Sequence, residues 1–196
     1  MESLLEKTLF DGDLIRLGPI DHEKDPEVES RWTHDSSFMR LMYLEPMRLR
    51  SAFEIKKQYE ELEKKADENR DPFPFRIRAK EDDRLIGLAE FHWIQWSNGA
   101  AGIRLGIGAA EDHRKGYGRE ALSLLLRFGF NELNFHRITA LIPEYNSAAL
   151  NFFRRAGFTP EINRRQAIQR EGRSWDLYYY GLLASEWRAR HEMKGD

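Results

Sequence analysis

Residues Glu111–Phe130 read EDHRKGYGREALSLLLRFGF. A charged run and two glycines, Gly116 and Gly118, stand immediately before apolar residues at helical spacing. Two readings of that order compete. One is a surface loop leading into an amphipathic helix; the other is a cradle in which main-chain N–H groups at a positive helix terminus hold an anion. Glycine at 116 and 118 suits the second, because side chains there would keep the backbone from the anion and disfavour positive φ.

The surroundings supply a context. Downstream, Leu122, Leu125, Leu126, Gly129 and Leu133 continue one helical face, so a helix is expected over Gly118–Leu133, followed by a β-branched and aliphatic strand, RITALI, at Arg137–Ile142. A second helix is expected at Ser147–Ala156, with Asn146 or Ser147 as its N-cap and Gly157 as its left-handed stop. Upstream, PFRIRAK, RLIGLAEFHWI and GIRLGIG run at strand lengths, separated by EDDR and QWSNGAA, which predicts an antiparallel meander. A short strand at Leu14–Ile20 opens the pattern, and a mixed helical region from His22 to Asn69 breaks near Pro46. At the far end, INRRQAIQREGRSWDLYYYGLL reads as a hairpin turning at Glu171–Arg173. The strand, helix, strand order around Glu111–Phe130 implies a parallel crossover.

Composition bounds the possibilities. The chain has 196 residues, of which 41% are hydrophobic and 12% aromatic, enough for one core, and no repeat or long linker divides it, so one domain over 1–196 is expected. The formal charge of −2 is spread along the sequence and offers no field for nucleic acid or an anionic membrane. There is no cysteine, which removes disulfides and thiolate catalysis from consideration. Acids in MESLLEKTLFDGD do not suit a signal peptide, and no apolar run approaches the roughly 20 residues of a membrane span, so a cytoplasmic location is expected. No HxxxH or HExxH spacing occurs, and no metal site is expected.

GYGREA at Gly116–Ala121 also satisfies the loose dinucleotide form GxGxxA. That unit wants its glycines directly after the strand, whereas charged residues intervene here, and GxxxxGK[ST] is absent. A sharper resemblance exists. IGAAEDHRKGYGREAL, followed at Phe135–Phe158 by FHRITALIPEYNSAALNFFRRAGF, resembles the GNAT superfamily of N-acetyltransferases, and within it the branch of ribosomal-protein N-terminal (RimJ/RimL-like) and polyamine acetyltransferases. HRKGYG occupies the acyl-CoA loop of that family, and EGRSWDLYYYGLLASEW is similar to its final hairpin. The resemblance covers nearly the whole chain. It implies an α/β (α+β) fold: a mixed, mostly antiparallel sheet of about seven strands with helices on both faces and a splay between strands 4 and 5.

The resemblance further implies a cofactor, acetyl-CoA (coenzyme A), and direct transfer of its acetyl group to a primary amine. Gly106, Ile107 and Gly108 would lie at the splay beside the pantetheine arm, and His113, Arg114, Lys115, Gly116, Tyr117, Gly118 and Arg119 would hold the diphosphate. Asn146 and Phe153 match positions that border the cofactor, Asn146 also serving as a helix cap. Phe153 stands where many relatives carry a tyrosine that protonates the departing sulfur, and a core contact is its other reading. His113 replaces the usual Arg or Gln, which matters little if the backbone binds.

Chemistry narrows the catalytic candidates. An aliphatic amine with a pKa near 10 must lose a proton before it attacks, and Glu90, in GLAEFHW, matches an often acidic position and is the candidate base. Tyr145 is a candidate proton donor, beside Ser147 or a water. The N–H groups at Ile107 would polarise the thioester carbonyl. The acceptor is either a protein N-terminus, a polyamine or a small-molecule amine, and the resemblance is compatible with a homodimer. The alternative function is an acyl-CoA-binding domain that does not catalyse and serves as a sensor or partner.

Overall fold

The computed structural model describes residues 9–46 and 48–192, with no side chains described at 191 and 192. The opening stretch read against a signal peptide lies outside the described residues up to Thr8. Seven strands form one sheet in the order β1-β2-β3-β4-β5-β7-β6. They are β1 (Ile15–Gly18), β2 (Phe73–Ala79), β3 (Leu85–Gln95), β4 (Ala100–Ile107), β5 (Arg137–Pro143), β6 (Thr159–Arg170) and β7 (Arg173–Leu183). The β1·β2, β2·β3, β5·β7 and β6·β7 pairs are antiparallel, whereas β4 and β5 run parallel. Six helices accompany them among the described residues: α1 (Asp25–Thr33), α2 (Ser36–Met42), α3 (Ala52–Asn69), α4 (Tyr117–Arg127), α5 (Ser147–Ala156) and α6 (Ala184–Glu192).

Two compact units make up the chain, one built on the described residues up to His92 together with Leu105–Phe128, the other on Trp93–Arg104 and the described residues from Gly129 onward. In the first unit, α1 lies against β2 through a buried ionic ladder. Arg78 Nη2 donates to both carboxylate oxygens of Asp25 at 2.9 Å, and Arg76 Nε lies 2.6 Å from Glu29 Oε1. The spacing explains the match: Asp25 and Glu29 are one helical turn apart, and Arg76 and Arg78 share one face of a strand. Trp32, Phe38 and Met42 of α1 and α2 form a buried cluster with Leu85 and Leu88 of β3. Helix α3 begins with a full capping box, in which Ser51 Oγ accepts from the Glu54 N–H and the Glu54 carboxylate accepts from the Ser51 N–H.

In the second unit, Ala100, Ala101 and Gly102 of β4 are registered against Arg137, Ile138 and Thr139 of β5. The parallel register ends there, while β4 continues to Ile107 and β5 to Pro143. β7 lies between β5 and β6, so β6 is an edge strand, and most of it is exposed. Asp176 holds the bulge in β6, accepting from the Gln166 N–H at 2.8 Å and from Asn163 Nδ2 at 2.9 Å.

One expectation needs correction. The helix expected to reach Leu133 is α-helical only to Arg127 and then widens into a π-helical turn over Phe128–Glu132, where Gly129 weakens the helix and the Phe135 N–H closes onto the Gly129 carbonyl. The helical region from His22 to Asn69 resolves into three helices, α1, α2 and α3, with the break near Pro46 falling between α2 and α3. A further helix, α6, follows the hairpin. Its start is fixed by Glu186, which accepts from the Leu183 N–H at 3.0 Å, and by the Ala184 N–H on the His136 carbonyl at 2.9 Å. None of the described helices is long and apolar enough to cross a membrane.

Candidate active site

The site grows from the end of β4. The Gly108 N–H donates to the Ile86 carbonyl of β3 at 2.9 Å. Adjacent residues of a strand direct their polar groups to opposite edges, so the N–H and C=O of Ile107 face away from β3. His113 Nε2 lies 3.1 Å from the Ile107 carbonyl oxygen, in agreement with that orientation. Gly106 and Gly108 serve packing as well. A Cβ at Gly108 would overlap the Trp32 indole, and one at Gly106 would stand 2.7 Å from Met42 Sδ. Their lack of side chains therefore lets α1 and α2 close onto the strand, a role the sequence did not disclose.

Beyond Gly108 the chain turns through a single 3-10 turn, Ala110–Asp112. The Asp112 side chain is fully buried, and Arg84 grips it with two bonds of 2.6 Å, Nη1 to Oδ2 and Nη2 to Oδ1. Lys115 Nζ donates to Asp112 Oδ1 at 3.2 Å. The Arg84 hydrogen bonds, with Lys115 beside them, hold the Asp112 carboxyl below its ordinary pKa, and the same contact raises that of Arg84. Arg114 follows at φ 63° and Gly116 at φ 92°, a conformation that glycine adopts without steric cost.

Gly116 is the N-cap of α4 and has no side chain to satisfy the helix start. The first helical bond runs from the Glu120 N–H to the Gly116 carbonyl at 3.0 Å, so the N–H groups of Tyr117, Gly118 and Arg119 precede the hydrogen-bonded ladder. Those amides and the positive end of α4 present donors to an anion, as acetyl-CoA's diphosphate requires, and the donor set fits that group. His113, Arg114, Lys115 and Arg119 are exposed around them. Glu120, unremarked in the sequence, turns the other way. Its carboxylate accepts from the N–H groups of Asp13, Leu14 and Ile15 at 2.7, 2.8 and 2.8 Å, pinning the start of β1 to α4.

Glu90 is half-buried on β3, opposite Pro74 of β2. It shares a strand face with Leu88, a member of the Trp32 cluster, so it projects on the side covered by α1 and α2. In the second unit, Asn146 is buried and caps α5, its Oδ1 accepting from the Ala149 N–H at 3.0 Å. Tyr145 packs edge-on against Trp175 with ring centroids 5.6 Å apart. Phe153 is buried edge-on to Phe152 and Phe158, which is the core contact read as its alternative role. Among the described residues no group of three His, Cys, Asp or Glu side chains lies together to hold a metal ion.

In the first unit, then, the outward-turned end of β4 precedes the glycine-capped start of α4. Residues 15–159 match the family model of the acetyltransferase (GNAT) domain. The chain belongs to the GNAT acetyltransferases. It is similar to the N-acetyltransferase p20 of Bacillus licheniformis, itself uncharacterized, at 33% identity over 114 residues, 58% of this chain and 63% of that protein. It is similar also to the spermidine N(1)-acetyltransferase of Vibrio cholerae, at 29% identity over 108 residues, 55% of this chain and 62% of that one. The matched stretch thus spans less than two thirds of either relative. Among solved structures, a probable acetyltransferase superposes with a TM-score of 0.78 at 21% identity, covering 90% of this chain and 96% of that one. The Vibrio cholerae spermidine N-acetyltransferase in complex with CoA and spermine superposes with the same TM-score of 0.78 at 22% identity, covering 90% of this chain and 99% of that one. At such identities the structural likeness concerns the GNAT fold.

Proposed function

We propose that this GNAT domain is an acetyl-CoA-dependent N-acetyltransferase of the RimJ/RimL-like branch, acting in the cytoplasm on a primary amine: a protein N-terminus, a polyamine or a small-molecule amine. The observation that carries the reading is the start of α4, where three main-chain N–H groups follow a glycine N-cap at φ 92° with no side-chain cap. Family membership and the similarity to a spermidine acetyltransferase support it.

In this reading the amides of Gly116–Arg119 hold the diphosphate, and the outward edge of β4 at Gly106–Gly108 lines the pantetheine arm. Bound acetyl-CoA supplies the acetyl group as a thioester, whose thiol, with a pKa of about 8.5, departs near neutral pH without a strong acid. The Ile107 N–H is the donor to the carbonyl oxygen as negative charge develops there, and the strand fixes it beforehand. Glu90 takes the proton from the acceptor ammonium, directly or through water, and the neutral amine then attacks. Tyr145, Asn146 and Phe153 enter the reading only as the candidate proton donor and the cofactor-bordering positions that the family resemblance implies. Transfer in this reading is direct from thioester to amine, with which the absence of cysteine is consistent. Residues 1–196 act as one catalytic domain.

The test is incubation of the purified protein with acetyl-CoA and a panel of peptides, polyamines and amino acids, reading free thiol. Thiol release that depends on at least one primary amine is expected. CoA binding with no release on any amine would instead favour a silent sensor.

A further inference from the structure

The chemistry above makes no use of Asp112, yet the fold commits a fully buried carboxylate to the root of the diphosphate loop. Burial of an ion pair is a weak route to stability, since a well-packed apolar group often does as well. What an ion pair supplies instead is geometry, because a bidentate arginine fork fixes both partners in one relative orientation. Here each end of the fork is itself fixed. The Asp112 N–H donates to the Ala109 carbonyl and the His113 N–H to the Ala110 carbonyl, both at 3.1 Å. Arg84 stands at the β2–β3 turn, where its N–H donates to Asp82 Oδ1 at 3.2 Å and its carbonyl accepts from the Ala79 N–H at 3.0 Å. The fork therefore ties the loop to the β2–β3 hairpin, at a point four residues before the Gly116 cap of the helix that bears the amide donors.

The third partner matters for charge. Lys115, the cation adjacent to Gly116, has its ammonium on Asp112 Oδ1. One carboxylate thus occupies two cations at a site meant for a polyanion.

We propose that Asp112, through Arg84 and Lys115, is a positioning residue for the cofactor's diphosphate: it sets the amides of Gly116–Arg119 in place and keeps the Lys115 ammonium on protein, so that main-chain donors carry the affinity. The inference rests on the acetyltransferase reading. It yields a prediction of opposite sign to simple electrostatics. Replacing Asp112 by Asn removes a negative charge beside the anion, which by Coulomb attraction alone would tighten CoA binding. If position governs, binding weakens.

The experiment is calorimetric titration of CoA into the wild-type protein, Asp112→Asn and Arg84→Lys at low and moderate salt, with melting curves of each. Asp112→Asn is expected to raise the CoA Kd about tenfold, as displaced donors do, and to steepen its salt dependence because Lys115 is released. In steady state the KM for acetyl-CoA rises, while kcat at saturation and the amine KM stay within about twofold. Arg84→Lys keeps the charge but loses the fork, and is expected to fall between; it also replaces Asp112→Asn should that variant not fold. Equal or tighter CoA binding by Asp112→Asn, or by Arg84→Lys when it stands alone, overturns the inference, as does a fall in kcat with unchanged Kd. No binding of CoA by the wild type overturns the acetyltransferase reading and the inference with it.

Discussion

Glu120→Ala should loosen the join between β1 and α4, and the structure sets the size of the effect. Three main-chain N–H groups lose their acceptor, but they are unequal. Asp13 and Leu14 are exposed, so water replaces the carboxylate and each loss costs about 0.5–1 kcal/mol. Ile15 is 0% exposed, and its stranded N–H costs about 1–3 kcal/mol. Together these give about 3 kcal/mol, which for a chain of this length lowers the melting temperature by about 6–12 °C. Glu120→Gln keeps one carbonyl oxygen, and its loss should be about 1 kcal/mol. Gly12→Ala is a companion, because a Cβ there would overlap the Glu120 carboxylate and displace it. Thermal and urea melts of the ligand-free protein read all three. A Glu120→Ala melt within about 1 °C of wild type would refute the reasoning, since the buried Ile15 N–H would then have another acceptor.

Asp25→Ala leaves Arg78 buried without its carboxylate and should destabilise the protein by about 3–5 kcal/mol in urea melts; a change below about 1 kcal/mol would mean the pair is hydrated. Burial raises the Glu29 carboxyl above its ordinary pKa although Arg76 opposes this, so Glu29 binds a proton more readily in the folded than in the unfolded chain. Its contribution to stability is therefore greatest below the unfolded pKa of about 4.3 and is lost as pH rises through the folded value. Glu29→Gln should flatten that decline in melts taken across pH, and an unchanged slope would count against it. Glu90→Gln should lower kcat by about 10²–10⁴ with the acetyl-CoA KM unchanged; full activity at every pH would remove Glu90 as the base.

Local signals were legible in the sequence wherever one short stretch carries its own reason. Helix α5 runs Ser147–Ala156 as read, because an Asn cap and a Gly157 stop at φ 106° define both ends. The β2–β3–β4 meander and the β6–β7 hairpin follow from period-two runs between turn residues. Helix α6 was missed because ASEWRARHE has one large apolar residue, Trp187, among charges and shows no face. The break at Arg127 was missed because Leu133 continues the apolar spacing across a turn whose geometry the spacing does not encode. At the site, the glycine loop and the Asn146 cap were readable as local motifs. Asp112, Glu120 and the Asp25–Arg78 pair were not. Their partners lie 28, 105–107 and 53 residues away, so in one dimension they look like ordinary surface charge. Likewise the sequence reading sets Gly108 at the splay beside the cofactor, while the fold also needs it for Trp32.

The central claim is that the main-chain amides from Gly116 to Arg119 grip the CoA diphosphate. Amide nitrogen and proton shifts followed by NMR during a CoA titration test it residue by residue. The account predicts that the largest downfield proton shifts fall on Tyr117, Gly118 and Arg119, and that they weaken when pantetheine, which lacks the diphosphate, replaces CoA. Saturating CoA with those three signals unmoved, and the largest shifts elsewhere, would contradict it.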